Sequence, residues 1–178
     1  MGLVLGIDPG FATLGMSLIR LDKDSEMVLG VKTLKTEPSP KKSKVRASDD
    51  NFRRAAELCN AIQSRIAKYD ILAVCMEAQS WPRNASSSAK VGMGWGVVAA
   101  LTTIRDLPVL HASPQAIKKA VVGKKSASKT EIIEAIQARH PEIVWPEAKG
   151  MHEHIADSVG AVIACFDSDV LKMVRRVS

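Results

Sequence analysis

The sequence predicts an α/β domain: a mixed sheet covered by helices on both faces. Three observations lead there. The chain opens with three strand-like segments in immediate succession. Beyond residue 48, helical and strand-like segments alternate. Residues 71–76, Ile-Leu-Ala-Val-Cys-Met, form a continuous apolar run too short for a helix, as expected of a strand buried on both faces.

Residues 3–8 are apolar up to Asp8 and stop at Pro9-Gly10, a strand ended by turn residues. Residues 12–20 and 27–34 read as two more strands, with a hairpin turn at 22–25, so the first three strands form an antiparallel meander. Residues 36–48 are polar, lysine-rich and carry two prolines, an exposed loop. Ser48, Asp49 and Asp50 offer helix caps. Ala55, Leu58, Cys59, Ile62 and Ile66 then recur at helical spacing, giving a helix to about Lys68. A helix is expected over 84–105 despite three glycines, a fifth strand over 107–111, and helices over 114–122, 128–139 and 152–165. The domain is expected to span residues 1–170, with 171–178 a basic, frayed C-terminal tail.

The composition is that of a globular domain: 46% hydrophobic and 25% charged residues. The net charge of +6 and the pI near 9.3 favour an anionic partner, nucleic acid being the commonest. Lys118, Lys119, Lys124, Lys125 and Lys129 fall between residues 116 and 130 with no acid among them. Such a run is either a solvated face or a phosphate-binding one. Cys59, Cys75 and Cys165 stand far apart without a CxxC pair, which excludes a zinc ribbon and points to core thiols in a reducing, cytoplasmic setting. No apolar stretch is long enough for a membrane span, and neither a secretory signal nor a myristoylation motif is expected.

The chemistry lies in the acids. Asp8 and Glu77 each end an apolar strand, where a carboxylate is costly to desolvate unless something pairs with it. The competing readings are a helix cap for Asp8 and a solvated strand end for Glu77. A third cluster is His152-Glu153-His154-Ile155-Ala156-Asp157. On a helix, His154 and Asp157 share a face, where a polar run meets an apolar one. The plainer reading, a first-turn acid favouring the helix dipole, suits Glu153 better than Asp157. Oxygen ligands with one imidazole suit Mg²⁺ or Mn²⁺. Two such ions about 4 Å apart can drive phosphodiester hydrolysis. A zinc site built on His140, His152 and His154 is the weaker alternative, for want of a nearby Cys.

Gly6-Ile7-Asp8-Pro9-Gly10 resembles the opening of RuvC-type Holliday junction resolvases. The resemblance continues in order through Glu77, Asn84-Ala85, Gly96-Val97-Val98, Leu107-Pro108-Val109, Lys118 to Gly123, Ser128-Lys129, and His154-Ile155-Ala156-Asp157-Ser158. It implies a ribonuclease-H-like fold with a five-stranded mixed sheet, a homodimer, and paired metal-dependent incisions across a four-way DNA junction. By motif position, Asp8, Glu77, His154 and Asp157 would form the metal-binding catalytic group, holding two Mg²⁺ or Mn²⁺. The family carries Asp or His at the position of His154. Lys118 and Lys129 fall where the family places lysines that contact the scissile backbone. With Lys119, Lys124, Lys125, Arg83 and Asn84 they make up the expected DNA-binding set.

Two departures bear on substrate. Three positions after Glu77, where the family often has a stacking aromatic residue, stands Ser80; Trp81 follows and is expected to stack in its place. The 36–48 loop is also longer and more basic than is usual in the family. Three other functions remain open. One is a related nuclease cutting flaps, forks or RNA-containing branches. Another is an actin-like ATPase, disfavoured by the short chain and the lack of a second Gly-rich phosphate loop. The last is a DNA-binding module without catalysis, disfavoured by buried carboxylates that would repel phosphate.

Overall fold

The computed structural model describes residues 2–78 and 84–176. Its centre is one five-stranded sheet ordered β3-β2-β1-β4-β5. The strands are β1 (Gly2–Asp8), β2 (Thr13–Leu21), β3 (Glu26–Lys35), β4 (Ile71–Glu77) and β5 (Val109–Ala112). β1, β2 and β3 pair antiparallel, with the hairpin turn closed by Asp22 N–H donating to Ser25 O at 2.9 Å. β4 joins β1 in parallel, and β5 joins β4 in parallel. The sheet is therefore mixed, with β3 and β5 as its edges.

Among the described residues there are six α-helices: α1 (Ala47–Lys68), α2 (Ala85–Ile104), α3 (Pro114–Val122), α4 (Lys129–Arg139), α5 (His152–Cys165) and α6 (Asp169–Arg176). Two apolar layers lie on opposite faces of the sheet. Val4, Ile19, Ala73 and Cys75 pack beneath α3, α4, α5 and α6. Leu5, Ile7, Leu14, Met16, Val74 and Met76 pack beneath α1 and α2. Side chains two residues apart on a strand share a face, so β1 and β4 serve both layers and read as unbroken apolar runs. Cys75 and Cys165 are buried thiols, and Cys59 is half-buried. No helix among the described residues is long and apolar enough to cross a membrane.

Three local readings need correction. α1 starts at Ala47, and Arg46 at its N-cap provides no side-chain cap. Asp50, expected as a cap, instead accepts from Ser39 N (3.0 Å) and Ser39 Oγ (2.6 Å) and ties the preceding loop to the helix. That loop is exposed from Lys41 to Asp49, but its root is not: Thr36 is buried and hydrogen-bonded. The segment taken for a frayed tail is helical through Arg176, with Leu171 and Val174 in the core. Its cationic residues hide a two-position apolar stripe, too short to show as periodicity, and burial against β1 and β4 rather than propensity holds the helix.

Candidate active site

Alternation along the strands delivers the acids. On β1, Val4 faces the α5 layer and Leu5 and Ile7 the other, so Asp8 faces α5. On β4, Cys75 faces the α5 layer and Met76 the other, which puts Glu77 on the same face as Asp8. β1 and β4 are parallel neighbours with Ile7 paired to Met76. Both carboxylates thus stand at the carboxyl ends of adjacent strands, where open α/β sheets bind their ligands.

The other half of the site rides on α5, and two glycines let that helix come down onto the strands. A Cβ on Gly15 would lie 2.1 Å from the His154 carbonyl oxygen, and one on Gly6 would lie 2.2 Å from the Ser158 carbonyl oxygen. Only a bare backbone permits this contact. It brings His154 Nδ1 to 2.6 Å from Asp8 Oδ2, with Asp157 following on the same helical face. Glu77, Asp157, Lys118 and Lys129 line one cleft of about 190 Å³, walled by Ile117 and Ile132. The cleft has room for several waters, hydrated ions or a phosphoryl group.

The electrostatics of this cluster are strained. Burial pushes Glu77 up to about 7, helped by the charges of Asp157 and Asp8 and opposed by Lys129 and Lys118. Burial and the Asp8 charge raise Asp157 to about 6, against the pull of Lys129 and His154. The hydrogen bond to Asp8 raises His154 above its ordinary value despite burial. Lys129 is likewise raised, chiefly by Glu153, whose Oε2 lies 2.5 Å from its Nζ. Crowded carboxylates of this kind are what a hard cation relieves, and three carboxylates with one imidazole match the donor preference of Mg²⁺ or Mn²⁺. Among the described residues, no three His, Cys, Asp or Glu side chains are already gathered tightly enough to hold an ion, and Asp8 is turned onto His154.

The crowding makes a stability prediction for metal-free protein. A carboxyl whose native pKa lies above its unfolded value of about 4.3 stabilises the fold only at low pH, and loses that contribution as pH rises toward the native value. For Glu77 and Asp157 the loss falls between about pH 4 and 7. In EDTA at pH 8, Glu77→Gln is expected to melt about 3–6 °C above the parent, reflecting roughly 1–2 kcal/mol after allowance for solvent screening. A lower melting temperature for the variant at pH 8 would remove the account of the cluster as mutually repulsive.

The remaining expected residues are dispersed. Lys119 and Lys125 are exposed away from the cleft lining, and Lys124 pairs with Glu131, part of the capping box that starts α4 at Ser128. Asn84 caps α2, its Oδ1 accepting from Ser87 N at 2.7 Å. Trp81 and Arg83, together with Ser80, lie outside the described residues. The three histidines of the zinc reading have separate partners: Glu26 and Glu142 for His140, Pro146 O for His152, and Asp8 for His154. Sequence reasoning named Gly6 only as part of a motif, and found neither its contact with α5, nor Gly15, nor the Lys129–Glu153 pair. No local pattern marks a strand glycine that will meet a helix, or an ion pair between residues 24 apart.

The chain is similar to known proteins over most of its length. The family model described as "Crossover junction endodeoxyribonuclease RuvC" matches residues 4–166. The protein of that name from Shewanella woodyi is 30% identical over 166 residues, covering 93% of this chain and 87% of the relative. That from Chlamydia abortus is 28% identical over 130 residues, 73% of this chain and 74% of the relative. Among solved structures, Thermus thermophilus RuvC in complex with a Holliday junction substrate superposes with a TM-score of 0.75 at 22% identity, covering 98% of both chains. The yeast mitochondrial Holliday junction resolvase Ydc2 gives 0.64 at 15% identity, over 99% of this chain and 82% of the other. The fold is the ribonuclease-H-like fold of these resolvases.

Proposed function

Because the chain belongs to the crossover junction endodeoxyribonuclease RuvC family, we infer that its acidic cleft resolves four-way DNA (Holliday) junctions by divalent-metal-dependent phosphodiester hydrolysis. The observation that supports this reading is the placing of α5 over the carboxyl ends of β1 and β4, where Asp8 bonds His154 and Glu77 shares a cleft with Asp157, Lys118 and Lys129. Asp8, Glu77, His154 and Asp157 would hold two Mg²⁺ or Mn²⁺. When bound, the ions supply an activated water and charge stabilisation at the leaving oxygen.

The chain's own residues do the rest. His154 and Asp8 orient one another through their hydrogen bond, which fixes which His154 nitrogen is left for a ligand. Lys118 and Lys129 neutralise phosphate charge at the cleft and position the scissile strand. Lys129 must exchange Glu153 for phosphate to do so. We read the chain as one nuclease domain with α6 as its last core element, and paired cuts across a symmetric junction require two such sites, hence a homodimer.

A labelled mobile four-way junction, incubated with Mg²⁺ or Mn²⁺ beside linear duplex, flaps and forks, tests the reading. Symmetric paired nicks confined to the junction are expected. Preferential cutting of flaps or forks would replace the substrate and retain the chemistry. Lys129→Ala is expected to slow cleavage of bound junction about 100-fold with less than a few-fold loss of binding. Equal losses in both would reduce Lys129 to a docking charge.

A further inference from the structure

We propose that the basic loop between β3 and α1 is a second DNA-contact surface, gripping the phosphate backbone of a duplex arm away from the cleavage site. The inference rests on the nuclease reading above and deepens it.

Residues 41–46 read Lys-Lys-Ser-Lys-Val-Arg, and no acid lies between residues 38 and 48. Lys41, Lys42, Lys44 and Arg46 are exposed, and among the described residues none of the four has an ion-pair partner. Four of the twelve lysines elsewhere are ion-paired among the described residues: Lys35 with Glu37, Lys124 with Glu131, Lys129 with Glu153 and Lys172 with Asp169. A run of unmatched cations by itself marks only a solvated segment. This one differs in how it is held and where it stands.

The loop is built from a rigid root. Arg54, buried, donates from Nε to Thr36 Oγ1 (3.0 Å) and from Nη2 to Thr36 O (3.2 Å), and it stacks over the Phe11 ring at 4.6 Å. Thr36 Oγ1 in turn donates to Phe11 O at 2.7 Å. Arg53 Nη2 donates to Glu37 O (2.7 Å) and to Asp50 Oδ1 (2.8 Å), and Asp50 also holds Ser39. Asp50 is thus consumed in anchoring the loop, and the four cations of its tip face the single exposed charge of Asp49 at the start of α1. A 3-10 turn at Lys41–Ser43, ended by Lys44 in the left-handed region (φ 51°), shapes that tip.

The root also fixes the location. Phe11 is three residues beyond Asp8, and across the sheet Asp8 pairs with Gly15, which pairs with Thr33. Two strand spacings, about 10 Å, therefore separate Asp8 from the strand that leads into the loop. The eight residues from Thr33 to Lys41, at up to ~3.3 Å each, keep Lys41 within about 36 Å of Asp8. Lys118 and Lys129 belong to the helical layer on one face of the sheet, whereas this loop crosses to α1 on the other. Cations therefore stand both in the helical layer beside the carboxylates and on the loop that leads to the opposite layer, and a duplex arm that leaves the cleft on the β3 side would meet the loop within about 11 base pairs, at ~3.4 Å rise each.

The test uses the full chain in Ca²⁺ for binding and in Mg²⁺ for cleavage. Lys41→Gln, Lys42→Gln and Lys44→Asn are combined, Asn being chosen because it tolerates the left-handed backbone at 44. The triple variant is expected to bind the junction about 10–100-fold more weakly near 0.1 M salt. The slope of log affinity against log salt should fall by about 2–3, each lost phosphate contact being worth roughly 0.9. Its cleavage rate at saturating protein should match the parent's. Single methylphosphonates scanned along one arm should weaken the parent at positions several nucleotides from the cut and leave the triple variant unaffected at those positions. An unchanged salt slope, a fall in the saturated rate, or no phosphate position coupled to the loop would each overturn the inference. A parent protein that cuts no branched DNA would instead sink the nuclease reading itself.

Discussion

Asp8→Asn is expected to abolish junction cleavage, by at least ~10³-fold, while binding stays level or tightens. Asn fills the same space at the end of β1, so the strand and its pairing with Gly15 survive. What is lost is charge. Asp8 adds to the repulsion that raises both Glu77 and Asp157, and it is the group bonded to His154. Removing it relieves that repulsion and at the same time deletes the carboxylate common to both halves of the site. With one fewer negative charge near the scissile phosphate, and the lysines untouched, the DNA-binding electrostatics are expected to be preserved. Single-turnover cleavage in Mg²⁺ and junction binding in Ca²⁺, measured on the same preparation, separate the two effects. Cleavage within a few-fold of the parent would mean that the site has been placed wrongly.

Gly15→Ala is expected to be as damaging without touching any acid. The added Cβ would sit 2.1 Å from the His154 carbonyl oxygen and 2.6 Å from its carbonyl carbon. Both are backbone atoms of a helix buried along most of its length, so they cannot rotate away. Either β2 or α5 must shift, at a cost of about 3 kcal/mol or more, equivalent to a melting temperature lowered by roughly 6–12 °C. The shift moves His154 off Asp8, and cleavage by the remaining folded protein should fall at least ~10²-fold. Gly30→Ala on β3, where nothing lies within 4 Å, is the control and should change neither quantity appreciably. A Gly15→Ala protein that melts with the parent would show that α5 does not rest on β2 through this contact.

Much of the molecule is written locally in its sequence. Strands and helices follow from the period of apolar residues, and the capping box at Ser128 and Glu131 marks the start of α4. Asp8 and Glu77 stand out because an ionised group at the end of an apolar strand needs a reason to be there. His154 and Asp157 stand out because their spacing shares a helix face. These signals are properties of single segments, set by desolvation and backbone periodicity. Packing decided the rest. Nothing near Gly6 or Gly15 announces that α5 will press on them. The Lys129–Glu153 pair, the capture of Ser39 by Asp50 and the buried stripe of α6 all join segments distant in the chain or too short to show a period. The sequence determined which residues would be chemically expensive to bury; only the sheet and the helix laid across it decided which of them share one cleft, because that depends on distances that no single segment contains.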